Sequence, residues 1–508
     1  MCGAAAPNAE SMTLSALPRT SLGMALLPIL LLVLLLAADV IAFGEDSSYG
    51  SNQVALLIAS GATVALGMAR GLQWGHFEAR IKETLGDAIG AILILLMIGA
   101  LAGTWLVSGI IPTLIDVGLD VLNKDIFLPA ACILCAAVSL ATGSSWGTVG
   151  TVGVALIGIG QALGLSEGWT AGAIISGAYF GDKLSPLSDT TNLAPTVAGT
   201  DLFVHIRFML WTTVPSILVA LVVFTLAGLG AEGPADMGGA AELQSVLANH
   251  FNLHWSLFLV PIGVIVLIAR KVSPVPALFL GVMGGALAAA LAQPDLIRTL
   301  GTDAIGPVLG LGETYLGAAF STLMSAAALS TAIETGNPVV NDLLTSGGMA
   351  GMLNTVWLII CALTFGAAMG AAGFLERITA AILSAVRGTF SIVFGTAFSS
   401  VVFNVIAADQ YIAIVVPGRM FREAYEERGM APQLLSRTLE DAGTVTSVLI
   451  PWNTCGVAQS GVLGVGVLAF APYCVFNYVS PLMTLLVAAL GFRIPAPNTA
   501  PADSTHAE

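Results

Sequence analysis

Charge is what this chain has least of. Asp, Glu, Lys and Arg make up 9% of its 508 residues, against about 25% in an ordinary soluble domain. Bases are the scarcer sign: 17 Lys and Arg stand against 31 Asp and Glu, a formal net charge of −14. Without clustered Lys and Arg there is no surface for nucleic acid. Histidine is rarer still. Of five, His250 and His254 stand four apart in a polar stretch with no carboxylate joining them, and no His-Glu-x-x-His or Ser–His pattern occurs. A metalloprotease-type zinc site or a hydrolytic centre is therefore not indicated, and the chain reads as no enzyme. No Gly-Lys-Ser or Gly-Lys-Thr occurs either, so there is no loop to cradle nucleotide phosphates, and no cofactor is called for. The six cysteines, Cys2, Cys132, Cys135, Cys361, Cys455 and Cys474, form no loop pairs of the kind a disulfide framework uses. Cys132 and Cys135, three apart in an expected helix, read as small packing residues.

What is abundant is hydrocarbon: 56% of residues are hydrophobic. Apolar runs recur near 22–43, 52–70, 86–111, 126–142, 147–165, 203–229, 256–270, 275–292, 351–374, 388–408, 459–472 and 476–492, with interrupted segments at 168–198, 304–335 and 439–456. At about 20 residues per crossing, this is an all-α polytopic membrane protein with about ten to thirteen transmembrane helices. The run 22–43 is too long for a signal peptide and is followed by acidic Gly44-Glu45-Asp46, so it reads as a true span. The organisation expected is a disordered lead over 1–21, a first transmembrane half over 22–230, a polar linker over 231–254, a second half over 255–493 and a disordered tail over 494–508. Arg19, and Arg70, Arg80 and Lys82 after the second run, flank an acidic first loop, which puts the N-terminus in the cytoplasm. Arg270, Lys271, Arg419, Arg422, Arg428 and Arg437 then mark further cytoplasmic loops, and Phe421 to Gly429 reads as a solvated helical turn or two.

Against this background four polar islands stand out. In the first half, Thr142-Gly-Ser-Ser-Trp-Gly-Thr148 interrupts apolar helix, and about forty residues later comes Gly181-Asp-Lys-Leu-Ser-Pro-Leu-Ser-Asp-Thr-Thr-Asn192. In the second, Phe403-Asn-Val-Ile-Ala-Ala-Asp-Gln410 is followed, at a similar distance, by Glu440-Asp-Ala-Gly-Thr-Val-Thr-Ser-Val-Leu-Ile-Pro-Trp-Asn-Thr454. A bilayer tolerates such segments only where they are buried in protein or line a wet cavity. Interrupted segments at matching places in two halves point to a binding site near the membrane midplane.

The residue types suit a hard monovalent cation, which takes oxygen ligands from carboxylates, hydroxyls, amides and freed backbone carbonyls. Pro186 breaks the helix and releases such carbonyls. Asp189 is the favoured carboxylate, shared in turn by ion and proton, with Thr190, Thr191 and Asn192 beside it and Ser144 and Ser145 opposite. The plainer alternative for Asp189 is a helix cap. Asp182 and Lys183 are either an internal ion pair or residues at the membrane surface. In the second half Asp409, Asp441, Asn453 and Thr454 form the matching set, a helix cap again being the alternative for Asp441. Na⁺ ligation is placed at Asp189, Asn192 and Asn453. Lys183, Ser188, Asn404, Glu334 and Asn337 are candidates for gating or secondary roles.

The Gly181 to Asn192 island resembles the hallmark of the NhaC-type Na⁺/H⁺ antiporters, and the Thr142 to Thr148 and Asp441 to Asn453 segments are similar to that family as well. The resemblance covers about residues 22–490. It implies two inverted repeats with broken helices and re-entrant hairpins, a multi-pass protein of the cell (inner) membrane, and Na⁺(or Li⁺)/H⁺ antiport driven by the proton gradient; it also implies a homodimer. Members of this group also exchange organic acids such as malate and lactate, or amino acids. A coupled organic-solute exchanger is thus the alternative, with Lys183 or Arg207 as the cation for a substrate carboxylate.

Overall fold

The computed structural model describes residues 20–43, 50–121, 123–230, 237–304, 314–336 and 338–491. They are almost entirely helical. The strands among them are the two-residue pair Thr331–Ala332 and Thr345–Ser346, which forms an antiparallel ladder. Among the described residues, eight helices are long and apolar enough to cross a membrane, or ten when each of two sharply bent pairs is counted as one span. The count of ten meets the lower edge of the sequence expectation and the count of eight falls below it, because several apolar runs are broken or too short to cross. Rows of large apolar side chains face outward, such as Leu26, Leu30 and Leu34 on the Leu22–Phe43 helix and Leu218, Val222 and Leu226 on Leu202–Leu229. In water such faces would be an aggregation hazard; in lipid they are the solvated surface.

Local chemistry sets the helix limits. Asn123 caps the Lys124–Thr142 helix by accepting from the amides of Asp125 and Ile126, and Gly143 closes it in the left-handed region at φ 70°. Asp201 caps Leu202–Leu229 through Phe203 and Val204. Trp74–Val107 is 34 residues long, about 50 Å, more than a bilayer core of about 30 Å needs. Its projecting first turns hold Arg80 and Lys82, paired with Glu83 and Glu78, so these two bases lie on a helix and not in a loop.

Three further stretches differ from the sequence expectation. Within 231–254, Met237–His250 is helical, and Leu243 and Leu247 join the main core. The bases from Arg419 to Arg428 belong to an 18-residue helix, Gln410–Glu427, and its cap, with Phe421 and Tyr425 buried against Ile392 and Val393. Arg437, expected in a loop, is wholly buried. Of the expected lead over 1–21, residues 1–19 lie outside the described residues, as does the whole of the expected tail over 494–508.

Among the described residues the most extensive helix pairing joins Lys124–Thr142 to Glu167–Leu184. Gly177 and Gly181, four apart, present bare backbone to the carbonyls of Cys132 and Ala136, where an added Cβ would collide. Small residues at this spacing let membrane helices approach closely. Ser139 Oγ seals the contact by donating to the Ala178 carbonyl at 2.6 Å.

Candidate functional site

Each polar island forms a helix break, and in each half the two breaks touch. In the first half, Lys124–Thr142 ends at Gly143. A new helical turn then starts at Ser145, capped by Ser144 Oγ, which accepts from the Gly147 amide at 3.0 Å. Glu167–Leu184 ends before Ser185-Pro-Leu-Ser188, and Asp189–Ala198 begins under a Ser188 cap. An added Cβ on Gly143 would sit 2.6 Å from the Leu187 carbonyl carbon and 2.8 Å from the Ser188 nitrogen, so one break lies directly on the other. Asp182 is buried at this junction and accepts from Ser145 Oγ at 2.7 Å. Thr191 Oγ1 reaches the freed carbonyls of Asp182 and Lys183 at 3.2 and 3.0 Å.

The second half repeats the arrangement. Thr389–Ile406 ends near Ala408, a non-glycine residue at φ 57°, and Asp409 caps Gln410–Glu427 by accepting from Tyr411 and Ile412 at 2.9 and 3.0 Å. Pro451 lies in the second break, and Asn453 caps Thr454–Leu463. Again the breaks meet: the Thr454 amide donates to the Ala408 carbonyl at 2.9 Å. Asn453 Nδ2 donates to the Asn404 carbonyl at 3.0 Å, and Asn404 Nδ2 to the Gly443 carbonyl at 2.6 Å.

Residues with matching roles sit at one constant offset along the chain. Gly143 and Ala408 carry positive φ. Ser144 and Asp409 cap the helix after the first break, Ser188 and Asn453 the helix after the second. Ser139 and Asn404 each donate to a carbonyl 39 residues further on, at 2.6 Å in both cases. Side-chain identity differs in every one of these four pairs, so the match is one of backbone geometry.

Between the halves lies a buried charged knot. Lys183, wholly buried, pairs with Asp441, also wholly buried. Asp441 Oδ1 also accepts from Ser480 Oγ at 2.9 Å, and Lys183 Nζ donates to that same hydroxyl at 2.9 Å. Asp441 Oδ2 accepts from Thr212 Oγ1 at 2.8 Å and from Thr484 Oγ1. Asp182 and Lys183 thus do not pair with each other. Neighbours on a helix point about 100° apart, so one turns to Ser145 and the other across to the second half. Next to Asp441, Glu440 accepts from Thr190 Oγ1 at 3.0 Å, and Ser188 Oγ lies 3.2 Å from the Thr190 hydroxyl.

The structure therefore gathers Ser144, Ser145, Asp182, Lys183, Ser188, Thr190, Thr191, Asn404, Asp409, Asp441, Asn453 and Thr454 about the breaks and the knot. Asp189 and Asn192 are exposed on the Asp189–Ala198 helix; Asn192 Nδ2 donates to the carbonyls of Pro186 and Ser188. Glu334 is exposed and tied to Asn341 at 2.9 Å, near the short strand pair; Asn337 lies outside the described residues. Sequence reasoning missed Glu440, Thr212, Ser480 and Thr484. Of these, Glu440 stood beside Asp441 at the head of the fourth island and was legible from that position. A lone Thr or Ser on an apolar helix gives no such signal, because its hydroxyl ordinarily bonds its own helix backbone.

A family model described as the Na⁺/H⁺ antiporter family matches residues 177–492. The chain belongs to that family. Among relatives, the Na⁺/H⁺ antiporter NhaC of Alkalihalophilus pseudofirmus is 34% identical over 441 residues, covering 87% of this chain and 90% of the relative. The malate-2H⁺/Na⁺-lactate antiporter of Bacillus subtilis is 32% identical over 440 residues, 86% and 89% of the two chains. The arginine/ornithine antiporter ArcD of Halobacterium salinarum is 34% identical over 481 residues, 94% and 93%. These lengths make the family resemblance a property of the whole transmembrane chain and not of one motif.

Proposed function

We propose that the chain is a secondary transporter of the cell membrane that exchanges Na⁺, or Li⁺, for protons, driven by the proton gradient, with the N-terminus in the cytoplasm. The reading rests above all on the first junction, where a buried carboxylate, Asp182, lies against hydroxyls and freed carbonyls at two touching helix breaks. Such a site offers a hard cation several oxygens without its hydration shell. A buried carboxylate that binds Na⁺ or a proton, but not both, couples the two fluxes. Asp189 and Asn192 stand at the exposed mouth as entry ligands, with Ser144, Ser145, Thr190 and Thr191 around the inner position. Asn453, Thr454, Asn404 and Asp409 form the companion site. We read the two halves as inverted repeats, so that exposure of the breaks alternates between the two sides. The Lys183–Asp441 pair ties the halves together at the centre.

The test is a proteoliposome assay: impose a proton gradient, add Na⁺, Li⁺ or K⁺ singly, and follow luminal pH. Wild type dissipates the gradient with Na⁺ or Li⁺ and no organic solute. Asp182→Asn, which keeps shape and removes charge, abolishes that response; Asp189→Asn keeps exchange but raises the half-saturating Na⁺ concentration. Full exchange in Asp182→Asn together with silence in Asp189→Asn would reverse the two roles.

Names borne by two relatives point to a second reading, coupled exchange of an organic acid or amino acid. A requirement for added solute in the same assay would establish it.

A further inference from the structure

The match between the halves extends, at the same constant offset, through the hydrogen bonds of the second break. The Asp182 carbonyl accepts from the Ser185 amide at 3.0 Å, and the Ser447 carbonyl from the Ile450 amide at 3.3 Å. The Ser185 carbonyl accepts from Ser188 at 3.2 Å, and the Ile450 carbonyl from Asn453 at 3.1 Å. The Ser188 carbonyl accepts from Asn192 at 3.1 Å, and the Asn453 carbonyl from Val457 at 2.9 Å. Each break holds a proline, Pro186 or Pro451. Each following helix closes on a left-handed glycine, Gly199 at φ 80° or Gly464 at φ 69°. Ser447 therefore stands to the second break as Asp182 stands to the first. It is wholly buried, and its hydroxyl donates to the Thr444 carbonyl at 2.6 Å. That bond uses the proton of the oxygen and not its lone pairs.

The distribution of charge follows the same offset. Ser144 matches Asp409, Ser176 matches Asp441, Asp182 matches Ser447 and Asp189 matches Thr454. Each related pair holds one carboxylate and one hydroxyl. Of the carboxylates in the four islands only Glu440 departs, with Ile175 at its matching position. Hydroxyl and carboxylate are both hard oxygen ligands and differ in charge. Two buried carboxylates at related places would give one monovalent cation an excess of negative charge, and each buried charge is costly unless compensated. One acid and one hydroxyl offer oxygen on both sides with a single charge. The backbone of the second junction suits a cation as well. Gly456 matches Thr191, whose hydroxyl reaches the carbonyls of Asp182 and Lys183. An added Cβ on Gly456 would lie 2.3 Å from the Ile450 carbonyl oxygen and 3.1 Å from that of Val448, so freed carbonyls converge at the same place in both halves.

We propose that Ser447 is a ligand of the transported cation, the uncharged counterpart of Asp182, and that a carboxylate moved to position 447 takes over the role of Asp182. The proposal rests on the cation exchange described above and adds a position that the exchange reading leaves out. A serine that only fills space would gain nothing from a charge there, because a buried carboxylate with no ion to meet destabilises the fold.

Four proteins test it in the proteoliposome assay with Na⁺: wild type, Asp182→Ser, Asp182→Ser with Ser447→Asp, and Asp182→Ser with Ser447→Asn. Asp182→Ser falls to the level of empty liposomes. Adding Ser447→Asp raises the initial rate at least about tenfold above that single variant; adding Ser447→Asn, similar in size but uncharged, does not. A relocated variant that is monodisperse and thermally stable yet silent overturns the proposal while exchange by the wild type stands. Equal rescue by Ser447→Asn also overturns it. Undiminished exchange in Asp182→Ser overturns both this proposal and the role given to Asp182. Should the relocated variant fail to fold, Ser447→Ala decides: it raises the half-saturating Na⁺ concentration about threefold or more, and an unchanged value overturns the proposal. The rise in thermal midpoint with Na⁺, against N-methylglucamine at matched ionic strength, reads binding apart from transport. It is lost in Asp182→Ser and regained on relocation, a pattern that supports the proposal even where no proton exchange is seen; its absence on relocation overturns it.

Discussion

Lys183→Met is the sharpest perturbation of this fold. It removes a wholly buried cation and leaves Asp441 buried with three hydroxyls, from Ser480, Thr212 and Thr484. Breaking a buried ion pair by removing one partner costs about 3–5 kcal/mol, because the remaining charge has lost its compensation. The hydroxyls still hold both oxygens of Asp441, which places the cost near the lower end, about 3 kcal/mol. Replacing both partners with apolar residues of similar size is often close to neutral. Lys183→Met with Asp441→Leu therefore regains most of the loss, and the coupling between the sites is about 2 kcal/mol or more. The readout is heat-induced unfolding of the four proteins in one detergent, scored by midpoint and by the monodisperse fraction that survives heating; the two single variants fall well below wild type and the double variant lies between. If the double variant is as unstable as the sum of the singles, or if Lys183→Met matches wild type, the pair does not hold the halves together and the central knot has been misread.

Two further predictions concern the breaks. Gly143→Ala combines a left-handed backbone, which costs an L-residue about 1–2 kcal/mol, with a Cβ that falls 2.6 Å from the Leu187 carbonyl carbon; it should lose exchange in the proteoliposome assay. Gly71→Ala, with positive φ but nothing within 4 Å of the added Cβ, bears only the backbone cost and keeps exchange. Asn453→Ala removes the cap on the Cys455 amide and the two donations to Asn404, a loss of about 1–2 kcal/mol. Asn453→Ser, the residue type at the matching position of the first half, recovers the cap and most of the thermal midpoint but not the tie to Asn404.

The class of this protein was written in its composition and in where its few polar residues fall. Long apolar runs cannot stay in water, and breakers clustered with carboxylates and hydroxyls cannot face lipid, so a helical bundle with internal helix breaks followed from residue type alone. The breaks at Gly143, Pro186 and Pro451 were legible because glycine and proline act on their own backbone, without reference to anything distant. Partnership was not legible. Asp182 and Lys183 are adjacent in sequence and looked like a pair, yet helical rotation sends one to Ser145 and the other to Asp441, 258 residues away. Arg437 looked like one more loop arginine, because an Arg in a charged stretch reads the same whether it meets water or the packed face of Leu202–Leu229. The hydroxyls of Thr212, Ser480 and Thr484 became ligands of Asp441 only through the crossing of helices far apart in the chain. Sequence determines what each segment can tolerate around it; which buried charges meet is decided by the packing that brings distant helices together.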